Sequence, residues 1–236
     1  NGPNHLKEAG KPIGHQNRYL AVGNYETIDD VFNNAQTGSI NSVAPGQVVP
    51  GDFIYIDFDS NGILNGQDKV AVDELNYPLH TYGLNLGFDW KGLSFSAMFY
   101  APTGVYKLVN SVYSASFKSG KINAQPDVMN AWTPETANTS GVRAPALHLT
   151  NDGAFNGTES TYRYQNFSYL RLKTMELGYN LPKKWLKTVG LKSLQVYVTG
   201  NNLLTWWGGD DRIDPEGEQA KYPILRSFTS GVRVSF

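Results

Sequence analysis

The sequence contains no cysteine among its 236 residues. Disulfide frameworks and thiolate metal sites are therefore excluded. The sequence also lacks any run of about 18 apolar residues, which excludes a transmembrane helix. It does not exclude a membrane β-barrel, because barrel strands are only about ten residues long and half polar.

Charged residues are scarce, at 17% of the chain, and the formal net charge is −1. Neither this charge nor any basic cluster points to nucleic acid, so we expect no nucleic-acid partner. Catalytic motifs are missing as well. The four histidines stand in unrelated contexts, without an HExxH motif or the spacing of a triad. They are His5, His15, His80 and His148. We therefore expect the protein not to be an enzyme.

Glycine, tyrosine and phenylalanine are abundant, with 24, 14 and 11 residues, a mixture that favours strands. From residue 79 onward, apolar and polar residues alternate. Two alternating segments flank Lys91-Gly92 and predict a β-hairpin over 80–101. Three further strands are predicted, over 164–181 with a β-bulge between Leu172 and Met175, over roughly 192–205, and near the end of the chain.

The last strand has one apolar face and ends on an aromatic residue. The apolar side chains at every second position are Phe228, Val232, Val234 and Phe236. A chain that stops on an aromatic at the end of such a strand is typical of a transmembrane β-barrel. Phe236 is therefore interpreted as the barrel-closing terminus, on a strand that pairs with a first strand outside this sequence.

The connections between these strands alternate between short and long. Lys91-Gly92 and 182–191 are short, whereas 102–163 and 206–221 are long. Antiparallel membrane strands give this alternation, with turns on the periplasmic side and loops outside, and it places the C-terminus in the periplasm. Residues 1–78 are assigned to an extracellular loop region, with a helical turn capped by Thr27, and 79–236 to the last five barrel strands with outer loops 102–163 and 206–221. A soluble β-sandwich with one long insertion is the alternative.

Several collinear segments resemble the SusC/RagA family of TonB-linked outer-membrane transporters, in its C-terminal portion. They cover roughly residues 48–236 and comprise Gly51–Gly62, Tyr82–Asn85, Ala131–Glu135, Tyr169–Lys173, Leu177–Trp185, Leu194–Trp206, Asp214–Glu216 and Tyr222–Phe236. The resemblance implies an all-β fold: the C-terminal antiparallel strands of a 22-stranded transmembrane barrel with long extracellular loops.

The resemblance also implies function and partners. Such proteins import oligosaccharides or peptides across the outer membrane of Gram-negative bacteria, together with a SusD-like lid lipoprotein. They have an N-terminal plug, and they take energy from TonB through a motif in their N-terminal part. The start, Asn1-Gly2-Pro3-Asn4, is neither an initiator methionine nor a signal peptide. We therefore expect a piece of such a protein, embedded in outer-membrane lipid and unable to transport alone.

One loop has the spacing of a calcium site. Oxygen-bearing residues stand at positions 1, 3, 5, 9 and 12 of a twelve-residue stretch, with Gly62 at position 6 and a backbone carbonyl at position 7. The candidate ligands are Asp57, Asp59, Asn61, Ile63, Asn65 and Asp68. An Asx-rich turn without metal is the alternative. A bound calcium ion, Ca²⁺, would fix the conformation of this outer loop. We expect no organic cofactor.

A second candidate site combines aromatic rings with carboxylates and could contact a sugar or another substrate. Its residues are Trp206, Trp207, Asp210 and Asp211. The alternative is an aromatic girdle at the membrane interface, with Trp90 and Trp185 in the opposite girdle. Lys183, Lys184 and Lys187 are expected to solvate the periplasmic turn. The rival function from another class is a soluble β-rich surface module that binds calcium and glycan.

Overall fold

The computed structural model describes most of the chain and divides it into two compact units. The described residues are 4–7, 9–34, 36–37, 40, 47–109, 129, 131–137, 144–147, 155–188, 190–209, 212–217 and 222–236. Unit 1 comprises Asn1–Asn76 and Lys107–Gln165, and unit 2 comprises Tyr77–Tyr106 and Asn166–Phe236. Within the described residues, no helix is long and apolar enough to cross a membrane.

Unit 1 consists of short strands around an aromatic core. Among its described residues are the strands β1 (Gln16–Arg18), β2 (Ala21–Asn24), β3 (Gln36–Thr37), β4 (Phe53–Tyr55), β5 (Ile63–Leu64) and β6 (Val70–Val72) and the α-helix α1 (Ile28–Asn33). β1 pairs with β6, β2 with β4, and β3 with β5. The buried cluster includes Phe53, Tyr55 and Phe155, and the rings of Tyr55 and Phe155 meet edge to face at 4.9 Å.

The capped helical turn predicted at Thr27 is confirmed. Thr27 is the N-cap of α1, and its hydroxyl accepts the N–H of Asp30 at 3.2 Å. The Asp30 carboxylate accepts the N–H of Thr27 at 2.8 Å, which completes a capping box. The hydrogen bonds from Thr27 lower the pKa of Asp30, because they stabilise the charged carboxylate.

Unit 2 contains a five-stranded antiparallel sheet. Its strands are β7 (His80–Trp90), β8 (Leu93–Thr103), β11 (Tyr169–Asn180), β12 (Ser193–Trp207) and β13 (Ser227–Ser235), in the spatial order β13-β12-β11-β8-β7. The hairpin at Lys91-Gly92 is confirmed, and both residues have positive φ, at 48° and 92°. Such a turn matches the twist of the strands it joins. A short helix, α2 (Lys183–Lys187), connects β11 to β12.

Two strand boundaries differ from the sequence prediction. The stretch 164–181 is two strands, since β10 (Tyr164–Asn166) forms a two-stranded sheet with β9 (Tyr106–Leu108), whereas β11 begins at Tyr169. Between them, Phe167 is fully buried and its N–H bonds to the carbonyl of Val105 at 2.7 Å. β12 continues through Trp207, two residues into the stretch assigned to a loop, because its pairing with β11 extends that far. The predicted β-bulge is confirmed between Leu172 and Thr174.

Candidate functional site

One face of the unit 2 sheet is apolar across all five strands. Its cross-strand pairs join apolar residues to apolar residues, for example Leu86 to Ala97, Leu177 to Val198, and Val196 to Val232. Many of these side chains are about half exposed or more, with exposed fractions between 44% and 73%: Tyr82, Leu84, Leu86, Phe88, Trp90, Leu177, Val196, Val198, Leu204, Phe228 and Val232. An apolar face this wide exceeds what the surface of a soluble monomer ordinarily exposes.

The opposite face is polar. The Arg233 guanidinium donates to Glu176 Oε1 and to Gln195 Oε1, each at 2.8 Å. Thr199 donates to the other oxygen of Glu176 at 3.0 Å. The guanidinium also lies 4.0 Å from the centre of the Tyr197 ring. A sheet with one apolar and one charged face is the arrangement of a barrel wall that separates lipid from water.

A buried charge network ties the segment after β12 to this polar face. Arg171, only 2% exposed, donates to Asp214 Oδ1 and to Glu216 Oε2, each at 2.8 Å, and to Thr205 Oγ1 at 2.9 Å. Lys173 donates to the other oxygen of Glu216. In the sequence, these residues are recognisable only as parts of the segments that resemble the SusC/RagA family. The alternation that places Arg171 and Lys173 on one face is visible in the sequence, but their partners lie about 43 positions away.

The network also fixes the ionisation of Asp214. Burial raises the pKa of Asp214, but hydrogen bonds from Arg171 and from the N–H groups of Glu216 and Gly217 outweigh burial. The pKa of this carboxyl therefore lies below its ordinary value. The segment over 212–217 is thus anchored to the sheet by a carboxylate that stays charged.

The loop over Asp57–Asp68, here called the aspartate loop, brings three of its six candidate calcium ligands together. Carboxylate oxygens of Asp57, Asp59 and Asp68 lie within 4.8 Å of one another. Asp68 is fully buried, and its carboxylate accepts the N–H of Phe58 at 2.9 Å and of Asn65 at 2.7 Å. These N–H groups partly offset the mutual repulsion of the three negative charges.

The remaining loop oxygens contact the loop itself. The side-chain oxygen of Asn61 accepts the N–H of Ile63 at 2.7 Å, and that of Asn65 accepts the N–H of Gln67 at 2.8 Å. The carbonyl of Ile63 accepts the Asn65 amide at 3.2 Å. The loop turns sharply at Gly62, which has a φ of 82°.

Asp57 is held ionised in the same loop. The slight burial of Asp57 raises its pKa, but hydrogen bonds from the N–H groups of Gly62, at 2.7 Å, and Asn61, at 3.2 Å, lower the pKa by more than burial raises it. The net pKa lies below the ordinary value of an aspartate. Ionised carboxylates are the ligands that Ca²⁺ prefers, so the charge state of Asp57 suits a divalent cation.

The two adjacent tryptophans point to opposite faces of β12. Trp206 pairs with Leu170 and is half exposed on the apolar face. Trp207 pairs with Tyr169 and packs against the Phe167 ring at 5.2 Å. The two indoles therefore do not form one stacking platform. Asp210 and Asp211, the carboxylates predicted beside them, lie outside the described residues.

The last residue of the chain is highly exposed. Phe236 follows β13 directly and is 80% exposed, and the strand it ends is one edge of the sheet. Its role as a barrel-closing terminus stays a prediction, as does the assignment of 1–78, 102–163 and 206–221 to extracellular regions.

No protein-family model matches the chain. Among curated proteins, it is 30% identical over 206 residues to TonB-dependent receptor P3 of Formosa agariphila, with 81% of the chain aligned. It is 31% identical over 210 residues to TonB-dependent receptor P26 of the same organism, with 80% aligned. In each case the chain spans 20% of the relative's length. Both relatives are named as receptors, which agrees with the expectation that the chain is not an enzyme.

Among solved structures, the chain is similar to the RagAB peptide importer in its open-open state. The TM-score is 0.65 at 23% sequence identity, over 94% of this chain and 22% of that chain. An identity this low supports the fold alone. The arrangement of antiparallel strands is therefore that of a TonB-dependent barrel protein.

Proposed function

We infer that this chain, which belongs to the SusC/RagA-like TonB-dependent receptors, forms part of the barrel wall of an outer-membrane importer. The observation that carries this proposal is the unit 2 sheet, with an exposed apolar face on one side and a charged face on the other. In this arrangement lipid covers the apolar face and the polar face lines the lumen.

The cargo and partners belong to the same proposal. The importer takes oligosaccharides or peptides, works with a SusD-like lid lipoprotein, and receives energy from TonB through other parts of the receptor. The peptide alternative is supported by one structural neighbour, which is named a peptide importer. The end of the sheet with the short turns, and with it the C-terminus, lies in the periplasm.

Two neighbouring residues of β7 offer a matched test. Leu86 lies on the apolar face and Asn85 on the opposite one, so Leu86→Arg and Asn85→Arg add the same charge to the two sides. A charge on the lipid face of a barrel costs about 2–4 kcal/mol at mid-membrane. In the full-length receptor we expect Leu86→Arg to reduce the folded, heat-modifiable form in outer membranes severalfold and Asn85→Arg to leave it nearly unchanged. Equal effects of the two substitutions would contradict the barrel-wall proposal.

The rival function, a soluble surface module that binds calcium and glycan, predicts a chain that purifies without detergent. A continuous sheet over 80–101 and 227–235 with exposed apolar side chains does not suit that behaviour. Purification of the intact chain as a monodisperse monomer in detergent-free buffer would reverse this preference.

We further propose that the loop Asp57–Asp68 binds Ca²⁺ and thereby stiffens an outer loop. The support is the close approach of Asp57, Asp59 and Asp68 and the spacing of the ligands. Calcium should slow amide exchange over 57–68 relative to chelator, and Asp57→Ala/Asp59→Ala should abolish that difference. Asp29→Ala/Asp73→Ala removes two exposed carboxylates elsewhere in unit 1 and should preserve it. If calcium does not change amide exchange over 57–68 in the unsubstituted protein, the proposed site is wrong.

A further inference from the structure

Five lysines lie at the end of the sheet where β7 joins β8 and β11 joins β12. They are Lys91, Lys183, Lys184, Lys187 and Lys192, here called the basic rim, and all are exposed. The connection over 181–193 has four lysines and no aspartate or glutamate. Among the ion pairs between described residues, none involves a lysine of the basic rim.

The backbone that carries the basic rim is held by hydrogen bonds across the strand ends. Asn180 N–H donates to the carbonyl of Gly92 at 2.7 Å, and Lys192 N–H donates to the carbonyl of Ser235 at 2.9 Å. The buried side chain of Leu186 anchors α2 between these points. These contacts fix the backbone that carries the lysines at one end of the sheet.

Two exposed indoles accompany the lysines. Trp90, at the end of the apolar face, is 62% exposed, and Trp185, in α2, is 65% exposed. The ammonium of Lys91 lies 5.0 Å from the centre of the Trp90 ring. Indoles sit at the headgroup level of a bilayer, and lysine extends its ammonium from the apolar boundary toward phosphate. The combination fits a headgroup layer better than bulk water.

We propose that the basic rim binds the headgroups of anionic phospholipids in the membrane leaflet that meets this end of the sheet. The inference rests on the proposed function, because only a membrane-embedded sheet brings a leaflet to this height. The unpaired positive charges select an anionic headgroup over a zwitterionic one, and the adjoining apolar face selects a lipid over a soluble anion. Lys183, Lys184 and Lys187, which the sequence predicts to solvate the turn, then also bind lipid headgroups.

Lipid retention by the full-length receptor tests this inference. The receptor is purified in neutral detergent and mixed with equal amounts of phosphatidylglycerol and phosphatidylcholine, and the co-purifying lipids are quantified by mass spectrometry. We expect phosphatidylglycerol to be enriched at least about fivefold, the effect of roughly one lysine near an anionic surface. Replacing Lys183, Lys184, Lys187 and Lys192 by glutamine should bring the ratio close to one.

Two matched variants keep the outcome interpretable. The same four lysines replaced by arginine keep the charge and should retain the enrichment. Lys183→Gln/Lys184→Gln should lose part of it, which covers the case in which the fourfold glutamine variant does not fold. Enrichment that survives all glutamine variants overturns the proposal. Displacement of lipid by inorganic phosphate at constant ionic strength also overturns it, because the rim would then be a site for free anions.

Flotation with phosphatidylcholine vesicles separates this inference from the proposed function. If the receptor inserts but retains both lipids equally, the basic rim proposal fails and the barrel-wall proposal stands. If the receptor does not insert into vesicles of any composition, the barrel-wall proposal fails first.

Discussion

The two units of this chain place their apolar residues in opposite ways. Unit 1 has a buried aromatic cluster, with Phe53 fully buried and Tyr55 and Phe155 packed against each other. Unit 2 has longer and more regular strands, yet Leu86 and Phe88 are about half exposed. The first arrangement is that of a water-soluble protein, and the second is stable only where something apolar covers the sheet.

The contrast shows that regular secondary structure and a buried core are separate properties. Unit 1 is stabilised by buried side chains that pack together between short strands and irregular backbone. In unit 2 the three inner strands are paired on both sides, whereas side-chain burial requires a partner outside the described residues. The same aromatic substitution should therefore have different consequences in the two units.

The largest expected effect compares the same truncation in each unit. Phe53→Ala removes a fully buried ring that lies 4.4 Å from the Tyr162 ring, and should destabilise unit 1 by about 4 kcal/mol. Phe88→Ala removes a half-exposed ring stacked on Phe95 and should cost less than about 1.5 kcal/mol. Native-state hydrogen exchange in the full-length receptor measures both. Similar costs would mean that Phe88 packs against protein, and the contrast between the units would be lost.

A slightly smaller effect is expected at Arg171, the buried charged residue among those that the structure describes in unit 2. Arg171→Ala removes the buried guanidinium that Asp214 and Glu216 share and should cost about 3 kcal/mol, with loss of exchange protection over 212–217. Arg233→Ala removes a guanidinium that is 52% exposed and should cost clearly less, because water screens an exposed ion pair. The reverse order of these two costs would show that the network around Arg171 does not anchor the segment.

The smallest effect concerns the cap of α1 in unit 1. Thr27→Ala removes one half of the capping box and should cost about 1 kcal/mol. Because the pKa of Asp30 is lowered in the folded protein, its contribution is complete above the unfolded value of about 3.9 and is lost as the pH falls through the lower folded value. The protection of the α1 amides against hydrogen exchange should therefore decrease as the pH is lowered from about 6 to about 3. Asp30→Asn should remove the pH dependence, whereas Asp29→Asn should keep it.

The local features of the fold were predictable because each depends on neighbouring residues. Alternation and Lys91-Gly92 predict the hairpin, the change of phase near Leu172 predicts the bulge, and Thr27 with Asp30 predicts the cap. In each case the partners are close in sequence or follow one strand period. The strand boundary near Phe167 was not predictable, because a distant carbonyl on Val105 decides it.

The core and the charge networks could not be read from the sequence for the same reason. Tyr55 and Phe155 are separated by 100 positions, and nothing in the polar stretch around Phe155 indicates a core residue. The buried Arg18 pairs with Glu74, 56 positions away. At the aspartate loop, by contrast, the ligand spacing is local, so the approach of Asp57, Asp59 and Asp68 could be predicted, although their metal stays a proposal.

Spin-label accessibility along β7 and β12 tests the central claim, that the apolar face of unit 2 meets lipid, most directly. Nitroxides are placed at Leu86 and Val198, on the apolar face, and at Asn85 and Thr199, on the polar face, of the full-length receptor in vesicles. We expect collisions with oxygen to dominate at the first pair and collisions with a water-soluble nickel reagent at the second. High nickel accessibility at Leu86 and Val198 would contradict the account, because the apolar face would then be in water.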